Sequence, residues 1–218
     1  MIRRIWMCCG VCGIVHDFVV SGNPFPETAR RTYSGREKII PVKWKNLTYS
    51  TMFFITATIT EWQPLLAKTV ARDALLRDFE FYRNKYGCKI LAYVIMPEHY
   101  HIVVDFRHPD DLHGWLHDLQ LHTANEIAKW LKQTANPDDL AVYARHANGK
   151  SKLAIWKEQS RAVGIVSESV LRTKIEYIHN NPVKRKLVDE PSQWPWSSWR
   201  NYYLEDASVL RIDTPEML

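Results

Sequence analysis

The sequence predicts an α+β fold: an antiparallel sheet in split βαβ order, the ferredoxin-like pattern, with helices on one face. Two observations predict it. Runs of β-branched and aromatic residues alternate with runs of helical spacing in the order β-α-β-β-α-β. A further helical run follows the fourth strand.

Thr51 to Thr60 is rich in Thr, Ile and Phe, a composition suited to a pleated, half-buried surface, and is the first strand. Leu65 to Tyr86 has helical spacing, with Leu65, Val70, Leu75, Leu76 and Phe79 as core positions. Gly87 is the stop signal of that helix. Cys88 to Met96 is the second strand, Pro97-Glu98 a brief break, and His99 to Phe106 the third strand. A long amphipathic helix runs from about Asp110 to Gln133 on the stripe Leu112, Trp115, Leu116, Leu119, Ile127 and Leu131. Asn136-Pro137-Asp138-Asp139 ends it, and residues 140–152 are ambiguous. Leu153 to Lys157 is read as the fourth strand. Ser167 to Asn180 is the last helix, with Leu171, Ile175 and Ile178 as its buried stripe.

At 218 residues the chain is one domain with appendages. We read residues 46–215 as that domain, large enough to need no disulfides, and residues 1–45 as a poorly ordered N-terminal extension. Lys and Arg outnumber Asp and Glu by 29 to 24, a balance that suits a phosphate-rich partner. Nine tryptophans and ten tyrosines offer rings that could stack on unpaired bases, although any one of them is more often a core residue.

Arg3-Arg4 followed by Ile5 to Val15 mimics a short signal peptide. His16-Asp17 interrupts the apolar run, no small-x-small pattern follows, and the run is too short to span a bilayer. The expectation from this run is therefore a cytoplasmic protein with no membrane partner. Cys9-x-x-Cys12 with His16, next to Cys8, supplies part of a zinc site but lacks a fourth ligand nearby. Arg30, Arg31, Arg36 and Lys38 either touch phosphate or are solvated.

The most informative stretch is Met96-Pro97-Glu98-His99-Tyr100-His101-Ile102-Val103-Val104. Side chains alternate faces along a strand, so His99 and His101 point the same way. Two imidazoles on one buried face make half of a divalent-metal site, although buried histidines more often only find hydrogen-bond partners. Downstream, Tyr177 lies about 100° around the last helix from Ile178. It sits at the edge of the buried stripe and can face the histidine strand as a nucleophile.

Together these motifs resemble the single-tyrosine HUH transposases, and within them the REP-associated tyrosine transposases. A His-hydrophobic-His motif after an apolar run is matched by Val94 through His101. A Tyr-Ile-x-x-Asn-Pro-Val segment is matched by Tyr177 through Val183. A Leu-Val and then a Trp/Tyr-Pro-x-Ser-Ser lie downstream of it in the family, matched by Leu187-Val188 and Trp194-Pro195-Trp196-Ser197-Ser198. Phe54-Ile55-Thr56 fits an early strand. The resemblance covers about residues 48–213. It leaves the first 45 residues and the stretch near 134–150 without a counterpart.

The resemblance implies the same ferredoxin-like fold and transesterification of single-stranded DNA at hairpin-forming repeats. His99 and His101 would hold Mg²⁺ or Mn²⁺, the imidazoles favouring Mn²⁺ somewhat. The metal would polarise a non-bridging phosphate oxygen while Tyr177 attacks phosphorus. A free phenol has a pKa of about 10, so it needs the metal or a base to lose its proton. The implied product is a 5′-phosphotyrosine bond and a free 3′-OH, and a DNA 3′-OH can later reverse the step without ATP. The family often takes a third ligand four residues after the tyrosine, which is Asn181 here. Pro182 disfavours helical geometry at Asn181, and Asn181-Pro182 is equally a good start for a new helix, so both readings stand. His179 lies on a different side of the helix.

Lys174, one turn before Tyr177, could steady a phenolate or a phosphate, or simply be solvated. Lys184-Arg185-Lys186 is the best local phosphate patch. The DNA-binding candidates are therefore Lys174, Lys184, Arg185 and Lys186. His113 and His117 sit amid Asp110, Asp111 and Asp118 and read as solvent-facing. Trp194, Trp196 and Trp199 are expected to pack the C-terminal segment onto the sheet. The partner would be single-stranded or hairpin DNA, and a homodimer is compatible with this reading. Two rivals remain. A catalytically inactive or domesticated DNA- or RNA-binding protein could use the same sheet, but an RRM-like reader needs exposed aromatics on its central strands. A zinc hydrolase needs a Glu base spaced from the histidines, and none is.

Overall fold

The computed structural model describes residues 50–147 and 153–213 with their side chains. It also describes the backbone of three strands: β1 (Ile5–Cys8), β2 (Val15–Phe18) and β3 (Lys43–Lys45). The chain forms two compact units, residues 1–38 and 39–218. In the first, β1 and β2 pair antiparallel with Ile5 opposite Phe18. The cysteine reading at Cys8, Cys9, Cys12 and His16 lies outside the side chains described. So do Arg30, Arg31, Arg36 and Lys38, and most of the expected extension over residues 1–45.

The second unit carries β4 (Met52–Thr58), α1 (Thr69–Tyr86), β5 (Lys89–Ile95), β6 (His99–Asp105) and α2 (Asp111–Thr134). It continues with α3 (Pro137–Ala144), β7 (Arg161–Gly164), α4 (Glu168–Lys184) and α5 (Trp199–Leu204). The strands lie in the order β3-β7-β4-β6-β5. Pairing is antiparallel from β7 through β4 and β6 to β5, which is the expected split βαβ sheet. β3 adds to its edge parallel to β7, so the sheet includes Lys43–Lys45, ahead of residue 46.

Strand alternation divides the core. Phe53, Ile55, Tyr93, Tyr100 and Ile102 face α1 and α2, where they meet Leu75, Phe79, Trp115 and Leu119. The two crossover helices thus share one face. Each of these fully buried side chains contributes about 1.5–3 kcal/mol relative to exposure. The opposite face carries Phe54, Ala92, Val94 and Val103, and α4 covers it with Leu171, Ile175 and Ile178.

Three local expectations are corrected. The fourth strand is Arg161–Gly164 and not Leu153 to Lys157; it is only four residues long and ends on glycine, so its periodicity is faint. Residues 153–157 run beside the end of β4, through a bridge between Ile59 and Trp156. Asn136-Pro137 ends α2 but also starts α3: the Asn136 side chain accepts from Asp139 N–H at 2.8 Å, with Pro137 at the first turn. Val70, expected in the core, is 48% exposed, because Ala71 and Leu75 define the buried stripe of α1.

The open edge of β5 is closed by the C-terminal segment. Ile95 N–H donates to Trp196 O at 2.8 Å and Ser198 N–H to Tyr93 O at 2.9 Å. Trp194 Nε1–H donates to Ile95 O at 3.0 Å, and the Arg72 guanidinium lies 3.6 Å from the Trp196 ring centroid. Capping an edge this way removes a template for aggregation. Trp199 stacks instead on Tyr203.

Candidate active site

The site begins with register. On β4 and β6, Thr56 stands opposite His101 and Thr58 opposite His99, so these side chains share the face that α4 covers. His99 and His101 are both buried, with ring centroids 4.7 Å apart. Thr56 Oγ1 lies 2.7 Å from His101 Nδ1, and Phe54 stacks on the His101 ring at 5.2 Å. In the tautomer where Nδ1–H donates to Thr56, the lone pair of His101 is left on Nε2.

Helix α4 is capped by Ser167, whose side chain accepts from Val170 N–H, and runs through Pro182 to Lys184. Asn181 is therefore helical, and the reading of Asn181-Pro182 as the start of a new helix does not hold. Burial of Asn181 and Pro182 offsets the local preference against helix before proline. The helix stops in a Schellman turn: Leu187 N–H donates to Pro182 O at 3.0 Å and Lys186 N–H to Val183 O at 2.9 Å. Lys186 takes the left-handed conformation there, with φ of 56°. Four residues apart on one continuous helix, Tyr177 and Asn181 lie on the same side.

Tyr177 is 37% exposed, at the edge of the stripe. Its ring packs 5.1 Å from His101 and 5.8 Å from Phe54, edge-on to both. His99 Nδ1, His101 Nε2 and Asn181 Oδ1 are buried without an aligned hydrogen-bond partner. Asn181 stands next to His99 and favours its protonated form, yet its oxygen has no aligned donor. Among the described residues no three His, Cys, Asp or Glu side chains cluster as metal ligands. The amide oxygen of Asn181 would be the third protein donor to a divalent cation at the histidine pair. The unsatisfied buried atoms fit that role, since orphaned polar groups of this kind need a partner.

Electrostatics favour ligation. Burial pushes His101 down to about 3, with help from His99 and Lys174. Burial also lowers His99, against the opposing pull of Glu98. Both imidazoles are thus held in the neutral form that binds metals.

The cations expected from sequence take different places. Lys174 Nζ lies 4.7 Å over the Phe54 ring and Lys184 Nζ 5.0 Å over the Tyr177 ring, so both flank the tyrosine. Arg185 instead donates to the buried Glu98 carboxylate at 2.6 Å, and Glu98 Oε1 lies 3.2 Å from His99 Nδ1. The sequence reading missed Glu98. Its signal was a carboxylate in the turn directly before the histidine strand, where burial demands a cation. His117 is half-buried with Nδ1 3.3 Å from Asp118, and His113 is half-buried too, so neither is fully solvent-facing.

His179 is buried away from this cluster, with Nε2 3.0 Å from Ser198 Oγ. Burial pushes it down to about 4. Its unfolded value is about 6.5, so below that pH the unfolded chain takes up a proton that the folded chain refuses until about pH 4. Its contribution to stability is complete above about pH 6.5 and is lost as pH falls, and His101 acts in the same direction. Urea unfolding free energy should drop by on the order of 2 kcal/mol from this residue between neutral pH and about 4.5. His179→Gln should show a visibly smaller drop, and an unchanged pH slope in that variant would contradict the assignment.

Fold and site together define a class: a ferredoxin-like α+β protein with a His-x-His pair on an interior strand, faced by a tyrosine from a packed helix. Comparison with known proteins narrows it. The family model described as Transposase IS200 like matches residues 47–181, more than half of the chain. The chain belongs to this transposase family. Its fold is similar to a solved REP-associated tyrosine transposase bound to a REP hairpin, with TM-score 0.54 and 18% identity over 78% of this chain and 90% of that one. A candidate transposase from Deinococcus radiodurans R1 matches with TM-score 0.39 and 17% identity, over 62% of this chain and 94% of that one. No curated protein matches the chain. Among the described residues no helix is long and apolar enough to cross a membrane.

Proposed function

We propose that this protein is a metal-dependent tyrosine transposase that cuts and rejoins single-stranded DNA at hairpin-forming repeats. One observation carries the reading: the Tyr177 ring packs 5.1 Å from His101, whose Nε2, like Asn181 Oδ1, is buried without an aligned hydrogen-bond partner. The hairpin carried by the solved relative supports a hairpin partner.

His99, His101 and Asn181 would hold one divalent cation. When bound, Mg²⁺ or Mn²⁺ supplies Lewis-acid polarisation of a non-bridging phosphate oxygen. Lys174 and Lys184 draw the phosphate to Tyr177 and offset its charge. The Tyr177 hydroxyl loses its proton to solvent as its oxygen attacks phosphorus, and the bond from phosphorus to the 3′-oxygen breaks. The departing 3′-oxygen takes a proton, leaving a 3′-OH, while the 5′-phosphate stays on Tyr177. Attack by another DNA 3′-OH reverses the balance and joins the strands. The rival RRM-like reading finds no support, because Phe53, Phe54 and Tyr100 on β4 and β6 are all buried.

Labelled single strands drawn from inverted repeats beside the gene test this, incubated with Mn²⁺ or with EDTA. A covalent protein–DNA band is expected with the hairpin and Mn²⁺, and none with EDTA or a matched blunt duplex. Equal cutting of the duplex would argue for another nuclease class.

A further inference from the structure

Trp62 has no part in the site described so far, yet it touches it. Its indole meets the His99 ring edge-on at 5.9 Å, and it is 53% exposed. Its backbone is strained: Glu61 and Trp62 are consecutive non-glycine residues at φ of 51° and 58°. Bulky L-residues avoid this region, so the surroundings must impose it.

They do so through the turn from Thr60 to Trp62. Thr60 N–H donates to Ile155 O at 2.9 Å, and its hydroxyl donates to Ala154 O at 2.6 Å. Trp62 N–H donates to Ile59 O at 3.0 Å, and His146 Nε2 lies 2.6 Å from the Glu61 carboxylate. The turn is thus fastened on both sides, but the fastening leaves the indole half in water. Burial does not repay the strain. Held strain that presents an exposed ring beside a reactive group is the pattern of a ligand clamp. Lys157 Nζ stands 4.7 Å from the indole centroid, and Lys157 N–H donates to Thr58 O at 2.8 Å, beside the strand position opposite His99.

We propose that Trp62 with Lys157 is a stacking platform for one unpaired base of the DNA strand whose phosphate enters the His99–His101 site. This rests on the functional reading above and deepens it. The exposed part of the ring offers a π surface that accepts any base, and Lys157 supplies a cation for the adjoining phosphate. The platform orients the strand at the scissile phosphate and does not take part in bond making.

The test uses the labelled hairpin that the wild-type protein cleaves, with the non-cleaving Tyr177→Phe protein as parent. Binding is read by fluorescence anisotropy, with one abasic site moved stepwise through the unpaired flanks. Trp62→Ala in that parent should weaken binding about tenfold, and Trp62→Phe should restore most of it. The Tm should stay within about 2 °C in both variants. At one abasic position the Trp62→Ala loss should vanish, because the stacked base is already missing. No loss, or a loss of the same size at every abasic position, overturns the proposal. So does a loss that Phe fails to restore and that accompanies a fall in Tm, which marks a packing role. If the wild type forms no covalent adduct with any hairpin, the functional reading fails first and this proposal falls with it.

Discussion

Tyr177→Phe should leave hairpin binding intact and remove cleavage, with a loss on the order of 10³-fold or more, as expected when a covalent nucleophile is deleted. The structure makes this a clean change. The ring is 37% exposed, and its contacts with His101 and Phe54 are ring contacts that phenylalanine keeps. Stability should therefore move by no more than about 0.5 kcal/mol. Denaturing gels of protein, Mn²⁺ and labelled hairpin, run beside anisotropy titrations, separate the two effects. A covalent band that survives in the variant would move the nucleophile elsewhere.

The second large effect is expected at His101. Its Nε2 is buried without a hydrogen-bond partner, and its Nδ1 is already engaged by Thr56. His101→Ala should lower Mn²⁺ affinity by more than about tenfold and reduce cleavage with it. It also empties the space beneath Phe54 and strands the Thr56 hydroxyl, so a stability cost of about 1–3 kcal/mol accompanies it. His101→Gln fills the same space, keeps a partner for Thr56 and lacks the imidazole, which separates ligation from packing. Electron paramagnetic titration of Mn²⁺ reads affinity without reference to activity. Normal Mn²⁺ affinity in both variants would remove His101 from the ligand set.

Much of this site was legible in the sequence because it obeys short periods. A spacing of two placed His99 and His101 on one face, and the helical spacing of Leu171, Ile175 and Ile178 placed Tyr177 at the stripe's edge. Local rules failed where tertiary packing overrode them. Pro182 argued against helix at Asn181, but burial of both residues carries α4 through to the Schellman turn at Lys186. The pairing of Glu98 with Arg185 joins residues 87 positions apart, which no local pattern encodes. β7 was missed because four residues ending in glycine carry almost no periodic signal, while the more apolar Leu153 to Lys157 imitated a strand. Trp62 reads as one aromatic among many until its strained turn is seen beside His99.

The most direct measurement is mass spectrometry of the trapped adduct. Wild-type protein is incubated with Mn²⁺ and the hairpin, quenched, digested with nuclease and trypsin, and sequenced by fragmentation. The account predicts a nucleotide 5′-phosphate on Tyr177 and on no other residue of its peptide. A phosphonucleotide on a different residue, or cut DNA bearing a free 5′-phosphate with no adduct at all, would contradict it.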